Sequence, residues 1–372
     1  MASRRPPLQV AMPPLPFEVM ANVVRRVGAV LLVLALMLAL IELGAVALVR
    51  TGVVSAPRTH GGRTGIWWHQ HPAFGAWHRP DTEGEHRGQC YRAHYRINSV
   101  GARDAERPRR AEGPRVVVLG DSFLEGYGVE ADSRFSDMLE AETGIPHMNF
   151  AMASFGPYQQ LLIYEGLARE FDHTTVMVSV FPGNDFADMD PDDCAELGDP
   201  DYCYRPYPGE PPGLERRDRL EPAWRGFFKA HSQAFILALV ALRGRHEARA
   251  TPRSEFYEFE ERQVALLEAV LERIRRAAEG RELVVLLIPK LHDLETFAKR
   301  GPDPLSARLS AWAEPRGVRV VNLLPAMAGH GRSWDAFYLP CDFHWSRYGN
   351  RVAAEATRRA LPELYGDAGG RL

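Results

Sequence analysis

Four short apolar runs constrain this chain most: "RVVVLG" (115–120), "VMVSVF" (176–181), "LVVLLI" (283–288) and "VRVVNLL" (318–324). They are rich in β-branched residues and read as continuous rather than alternating. That pattern fits strands buried on both faces. "HMNFA" (147–151) is a weaker fifth candidate. Helical patterns lie between them. Asp132 or Ser133 can cap a helix that puts Phe135, Met138 and Leu139 on one face and stops at Gly144. Tyr158 to Glu170, Glu258 to Ala278 and Asn350 to Leu361 carry apolar residues at helical spacing. Strands alternating with helices predict βαβ crossovers, hence an α/β fold in which helices cover both faces of a five-stranded parallel sheet. No internal repeat is visible.

The 372 residues suffice for one large domain or two smaller ones, and a 45% hydrophobic content can supply a sizeable core. The formal net charge of -3 gives no basic surface for nucleic acid. One segment stands apart. Val27 to Val49 reads "VGAVLLVLALMLALIELGAVALV", with Glu42 its only charged residue. More than ~20 apolar residues at ~1.5 Å each can cross the ~30 Å hydrocarbon layer. A secretory signal has a shorter apolar stretch, about 7–15 residues, so an uncleaved anchor is the reading adopted, although "VSA" (54–56) resembles a cleavage site. Arg4, Arg5, Arg25 and Arg26 precede the span, and Arg50, Arg58 and Arg63 follow it. The balance tilts toward a cytoplasmic N-terminus and an extracytoplasmic body, periplasmic or at the cell surface.

The resulting organisation is a cytoplasmic stub (1–26), a transmembrane anchor (27–49), a juxtamembrane segment (50–114), a main domain (115–362) and a tail (363–372). "YRINSVGARD" (95–104) reads as a strand and a turn within the juxtamembrane segment. Residues 186–226 interrupt the βα rhythm with many Asp, Pro and Tyr residues, and a loop this long is functional or disordered. Residues 227–243 follow as an amphipathic helix whose longest unbroken apolar run, Ala234 to Leu242, is too short to span a bilayer. The four cysteines, Cys90, Cys194, Cys203 and Cys341, form no Cys-x-x-Cys pair. In an oxidising compartment Cys194 and Cys203 are expected to pair.

In an open parallel sheet, ligands bind beyond the carboxyl ends of the strands. The first strand there delivers "GDSFLEG" with Ser122, and the "HMNFA" strand leads to "ASFGPYQQ" with Gly156. The third delivers "PGNDF" with Asn184, and the last leads to "CDFHWS" with His344. A serine hydroxyl needs a base, histidine titrates in the right range, and an acid can orient the imidazole. Ser122 N–H, Gly156 N–H and the Asn184 amide are the donors available to a developing oxyanion.

These four blocks, in this order and each after an expected strand, resemble the SGNH, or GDSL-type, hydrolase superfamily over roughly residues 115–362. The resemblance implies a flavodoxin-like three-layer sandwich, hydrolysis or transfer of esters, and no cofactor. It implies Ser122 as nucleophile, His344 as general base, and Ser122, Gly156 and Asn184 at the oxyanion. Many members carry Asp three residues before the histidine, where this chain has Cys341. Asp342, two before, is then the orienting acid, with Asp335 a distant second choice. Asp-x-His spacing is similar to that of membrane-associated members, including periplasmic acetyltransferases of exported polysaccharides. The expected substrate is an acylated small molecule, lipid or polysaccharide. An O-acyltransferase, or a non-catalytic scaffold in an envelope assembly, is the competing reading.

Plainer roles stand beside these. Asp121 and Asp185 are expected to hold loops. Cys341 can be a small buried residue or an oxidised partner of Cys90, ahead of a nucleophile or a metal ligand. Asp188, Asp190, Asp192 and Asp193 offer clustered oxygens but lack the pattern of a calcium loop, so no metal is expected and a solvated lid is preferred.

Overall fold

The computed structural model describes residues 17–51, 69–71, 73–87, 90–189, 203–206, 214–217, 224, 228, 231–247, 253–340 and 343–366. In chain order the elements used below are α1 (Phe17–Arg50), a ribbon (Thr82–Arg87 with Arg92–Ile97), β1 (Val116–Leu119), α2 (Ser122–Glu125), α3 (Phe135–Thr143), β2 (His147–Asn149), α4 (Pro157–Gly166), β3 (Thr175–Val180), α5 (Pro182–Met189), α6 (Gln233–Glu247), α7 (Glu261–Ala277), β4 (Glu282–Leu287), α8 (Leu291–Arg300), β5 (Arg319–Asn322), α10 (Leu323–Ala328, preceded by α9, Pro304–Ala313) and α11 (Arg347–Ala360). They fall into two units. Met1–Ala56 with Trp224–Glu247 form one, and Pro57–Ala223 with Ala248–Leu372 form the other.

The second unit is built on a five-stranded sheet ordered β5-β4-β3-β1-β2, with every neighbouring pair parallel. All residues of β1, β2 and β3 are buried. This is why those sequences run apolar without alternation. Two groups of helices flank the sheet: α4 and α5 pack with α7, while α3 packs with α11 and α8 with α10. The α/β sandwich expected from the sequence is therefore present. The strand order places the crossover reversal at β1 and β3, where chains of this class open a crevice.

Helix starts differ from expectation in an informative way. α3 begins at Phe135, after a single 3-10 turn over Ala131–Ser133. Its N-cap, Arg134, makes no side-chain capping bond. Asn350 Oδ1 accepts from Phe135 N at 3.0 Å instead, so a residue of α11 satisfies the helix end. Nearest-neighbour capping rules cannot find a partner 215 residues away.

The segment before β1 packs closely within the same unit as the sheet. Trp77, Ala93, Tyr95, Ile97 and Ala102 are buried. Arg103 is buried too, and its guanidinium donates to the carbonyls of Glu125 (2.7 Å), Gly126 (2.7 Å) and Val129 (2.6 Å). It also lies 3.5 Å over the Tyr95 ring. Three carbonyls thus rest on one side chain, although Gly126 O also accepts from Val129 N at 3.2 Å. Arg103→Met is expected to destabilise this unit by about 3–5 kcal/mol, because the buried acceptors lose their donor. The midpoint of thermal unfolding in detergent micelles measures this. A midpoint shift too small to separate from wild type would contradict the clamp.

In the first unit, Ala21–Leu48 of α1 is long and apolar enough to cross a membrane. α6 packs against α1 within the same unit. α6 runs from Gln233 to Glu247, and Trp224, Phe228 and His231 before it are also helical.

Candidate active site

Ser122 is the first residue of α2, joined to β1 by Gly120 and Asp121. Asp121 caps this one-turn helix, with Oδ1 accepting from Phe123 N at 2.9 Å. A side chain at position 120 would strike Ser179 Oγ and the Leu124 side chain. The strand therefore turns into α2 only with glycine there, and Gly126, at φ 79°, ends the turn.

His344 sits in a short antiparallel turn closed by the Tyr338–Trp345 bridge. Leu339 N donates to His344 O at 2.8 Å, and Ser346 N donates to Phe337 O at 2.8 Å. Ser346 then caps α11 through Gly349 N (3.2 Å). Trp345, fully buried, packs edge-on against Phe123 at 5.0 Å. These contacts hold the imidazole with Nε2 2.7 Å from Ser122 Oγ. Aromatic rings surround it: Tyr127 at 4.3 Å, Phe343 at 4.4 Å and Phe123 at 5.3 Å between centroids. Among the described residues of this unit, Phe343 is the one large apolar side chain left exposed, at 58%.

Asn184 lies in the first turn of α5, after β3. Its Nδ2 donates to Asp188 Oδ2 at 3.0 Å, while its Oδ1 is buried without a hydrogen-bond partner. Gly156 is the N-cap of α4, and its N–H donates to Gln159 Oε1 at 3.1 Å. A Cβ on Gly156 would lie 3.1 Å from Asp188 Cβ, so glycine lets α5 approach α4 closely. In this state the Gly156 N–H already has an acceptor, and Asp188 stands beside both oxyanion candidates. Ser122 and His344 are thus brought together. Asn184 and Gly156 meet through Asp188. Asp342 and Cys341 fall outside the described residues, as do Asp190, Asp192, Asp193 and Cys194. Asp335 is described and lies in the 3-10 turn Trp334–Phe337, where its Oδ2 accepts from Ser333 Oγ (3.4 Å). Cys90 is disulfide-bonded, and no described cysteine is free.

Burial pushes the Asp121 carboxyl up to about 6, opposed by its bond from Phe123 N and by the nearby His344. Asp185 is also fully buried and accepts from Phe181 N at 2.8 Å. Burial, together with the charges of Asp121 and Asp188, raises it well above the usual carboxylate range. Both acids hold turns, as the sequence led us to expect. The Asp121 shift has a sign. A carboxyl raised in the folded state binds its proton there more tightly than when unfolded. Its contribution is complete below about pH 4 and falls as pH rises toward about 6. In Asp121→Asn this loss is absent, so the variant should gain on wild type between those pH values. Unfolding midpoints at pH 4 and pH 7 compare them, and parallel curves would contradict the shift.

Glu125 was not singled out from the sequence. It is fully buried, 3.4 Å from His78 Nε2, and also accepts from Ala153 N. It thus ties α2 to the loop before Gly156 and to the segment before the ribbon. Only the short spacing from Ser122 hinted at it.

A serine and a histidine in hydrogen-bond contact at the carboxyl edge of a parallel α/β sheet define a serine-hydrolase type of site. The family model for "GDSL-like Lipase/Acylhydrolase family" matches residues 118–352, more than half of the chain. The chain belongs to this family and is an ester-hydrolysing enzyme. Solved structures with a similar fold include a carbohydrate esterase family 2 enzyme from Corynascus thermopiles (Myceliophthora fergusii), at 11% identity and TM-score 0.39, covering 70% of this chain and 69% of that one. Another is the psychrotrophic esterase EstA from Pseudoalteromonas sp., at 9% identity and TM-score 0.37, covering 68% and 100%. A member of the lipolytic protein G-D-S-L family from Veillonella parvula is similar at 10% identity and TM-score 0.37, covering 66% and 96%. No curated protein matches.

Proposed function

We propose that this chain is a membrane-anchored serine esterase, working outside the cytoplasm on an acylated carbohydrate or lipid. The observation that carries the reading is the 2.7 Å contact between His344 Nε2 and Ser122 Oγ. Ser122 Oγ attacks the ester carbonyl while His344 Nε2 takes its proton. The carbonyl oxygen becomes an oxyanion, met by the Ser122 N–H and the second hydrogen of the Asn184 amide, with Gly156 as the third contributor once Gln159 releases it. Collapse expels the alcohol, protonated by His344, and leaves an acyl group on Ser122. Water, deprotonated by the same imidazole, then releases the acid and restores the serine. Asp342 is assigned the orienting role at Nδ1. Phe123, Phe181 and Phe343 lie within 6.2 Å of one another beside the imidazole and give the acyl side an apolar wall.

Two observations support the extracytoplasmic location. One is the apolar helix at Ala21–Leu48, and the other is the disulfide at Cys90, since disulfides persist in oxidising compartments. The full chain in detergent is expected to hydrolyse p-nitrophenyl acetate. Ser122→Ala should lower that rate by at least about 10³-fold. Equal turnover by the two proteins would sink the assignment. Alkaline phosphatase fused after residue 60 should be active, and an inactive fusion would overturn the location.

A further inference from the structure

Glu42 is the one charged residue between Val27 and Val49, and nothing in the esterase chemistry uses it. Ionisable residues within a span are rare because they are costly there, and they mark a partner. The partner is the start of α6. Glu42 Oε2 accepts from Ser232 Oγ at 2.7 Å and from Ala234 N at 3.2 Å, and Oε1 accepts from Gln233 N at 2.6 Å. A carboxylate of one helix thus satisfies the open N–H groups of another, where the positive end of the helix dipole favours it. In lipid those N–H groups have no water to turn to.

The packing shows where this happens on α1. Every side chain from Ala21 to Ile41 is exposed, while Ala45 is buried and Glu42 and Val46 are half-buried. Ile236 of α6 is buried in the same unit. α6 therefore meets only the last turns of α1, starting about 9 Å before the end of the span at Leu48 (~1.5 Å per residue). The α6 region is itself apolar. Ala234 to Leu242 is an unbroken nine-residue run, ~14 Å of helix, or roughly half the ~30 Å hydrocarbon layer. Trp224 and Phe228 are 58% and 45% exposed and cluster with Phe235, with centroids 5.7–6.4 Å apart. Arg225 and Lys229 precede the run, and Arg243 and Arg245 follow it. Aromatic rings beside basic residues are the pattern of a lipid interface.

We infer that the Ala234–Leu242 run of α6, with Trp224 and Phe228 beside it, is a second membrane-embedded element, seated among the acyl chains of one leaflet and docked to the anchor through Glu42. The occupant of the exposed apolar surface is the bilayer that holds α1, whose exposed apolar surface it continues. The chain then meets the membrane twice: at its anchor, and again between the Asn184 and His344 segments. This inference rests on the anchored reading above.

The test uses the full chain in vesicles of phosphatidylethanolamine and phosphatidylglycerol. A photoreactive p-benzoylphenylalanine is placed singly at Leu38, Phe228 or Ala238, with the unsubstituted chain as the control. Phospholipid adducts are expected at 38, 228 and 238. Adducts at 38 with none at 228 and 238 would overturn the second element and leave the anchor standing. No adduct at 38 would overturn both. Docking has its own readout: Glu42→Ala should speed tryptic cutting within α6 several-fold, and Glu42→Gln, which keeps an acceptor, should restore the wild-type rate of cutting. Unchanged cutting in Glu42→Ala would overturn the role of Glu42.

Discussion

His344→Ala is expected to lower kcat/KM on short acyl esters by at least about 10³-fold, or about 4 kcal/mol of transition-state stabilisation. A serine hydroxyl is a weak nucleophile at neutral pH, and in the proposed mechanism Nε2, 2.7 Å from Ser122 Oγ, takes its proton. The same nitrogen must later return a proton to the leaving alcohol, so its loss touches both halves of the reaction. Residues that act as a unit are not additive. The Ser122→Ala/His344→Ala double variant should therefore be hardly slower than either single one. A double variant slower by the product of the two effects would show that serine and histidine work independently, against the account. His344 is buried beneath the Tyr127 and Phe343 rings, and alanine opens space there. His344→Gln, nearer in volume, checks that the loss is chemical rather than structural: it should be about as inactive while unfolding close to wild type.

Asn184→Ala is expected to lower kcat by about 10²–10³-fold, about 3–4 kcal/mol, with a much smaller change in KM. An oxyanion donor acts mainly where charge develops, so its removal costs the transition state more than substrate binding. The amide nitrogen carries two hydrogens. Asp188 takes one at 3.0 Å, which orients the group and leaves the other for the oxyanion. Asp188→Ala should thus give a smaller loss than Asn184→Ala, because the amide is freed to rotate but not removed. Single-variant kinetics on p-nitrophenyl acetate separate these outcomes. A KM effect without a kcat effect in Asn184→Ala would mean that the amide only binds substrate.

Much of the sheet was legible because double-sided burial leaves a strong mark. β1, β3 and β4 appear as mainly apolar runs without alternation, and even the three-residue β2 was visible in "HMN". The Ser122–His344 contact was legible for a different reason: strand-end residues of a parallel sheet converge on one edge. What escaped was long-range and polar. Asn350 satisfies the start of α3 from 215 residues away, and Arg103 holds three carbonyls of the turn after Ser122. Neither bond leaves a local pattern in sequence. Nor does the bond from Gly156 N–H to Gln159, which competes with the oxyanion role expected of that group. Glu42 was visible as an oddity in an apolar span, but the partner 190 residues away that explains it was not.

The central claim is that Ser122, activated by His344, forms the covalent acyl-enzyme. A fluorophosphonate probe reacts with such a serine because the activated oxygen attacks phosphorus and the leaving group departs. Labelling of the full chain, followed by peptide mass spectrometry, should place the adduct on the peptide containing Ser122. It should vanish in Ser122→Ala and fall sharply in His344→Ala. Labelling that persists in Ser122→Ala, or a wild-type protein that takes no label, would contradict the account.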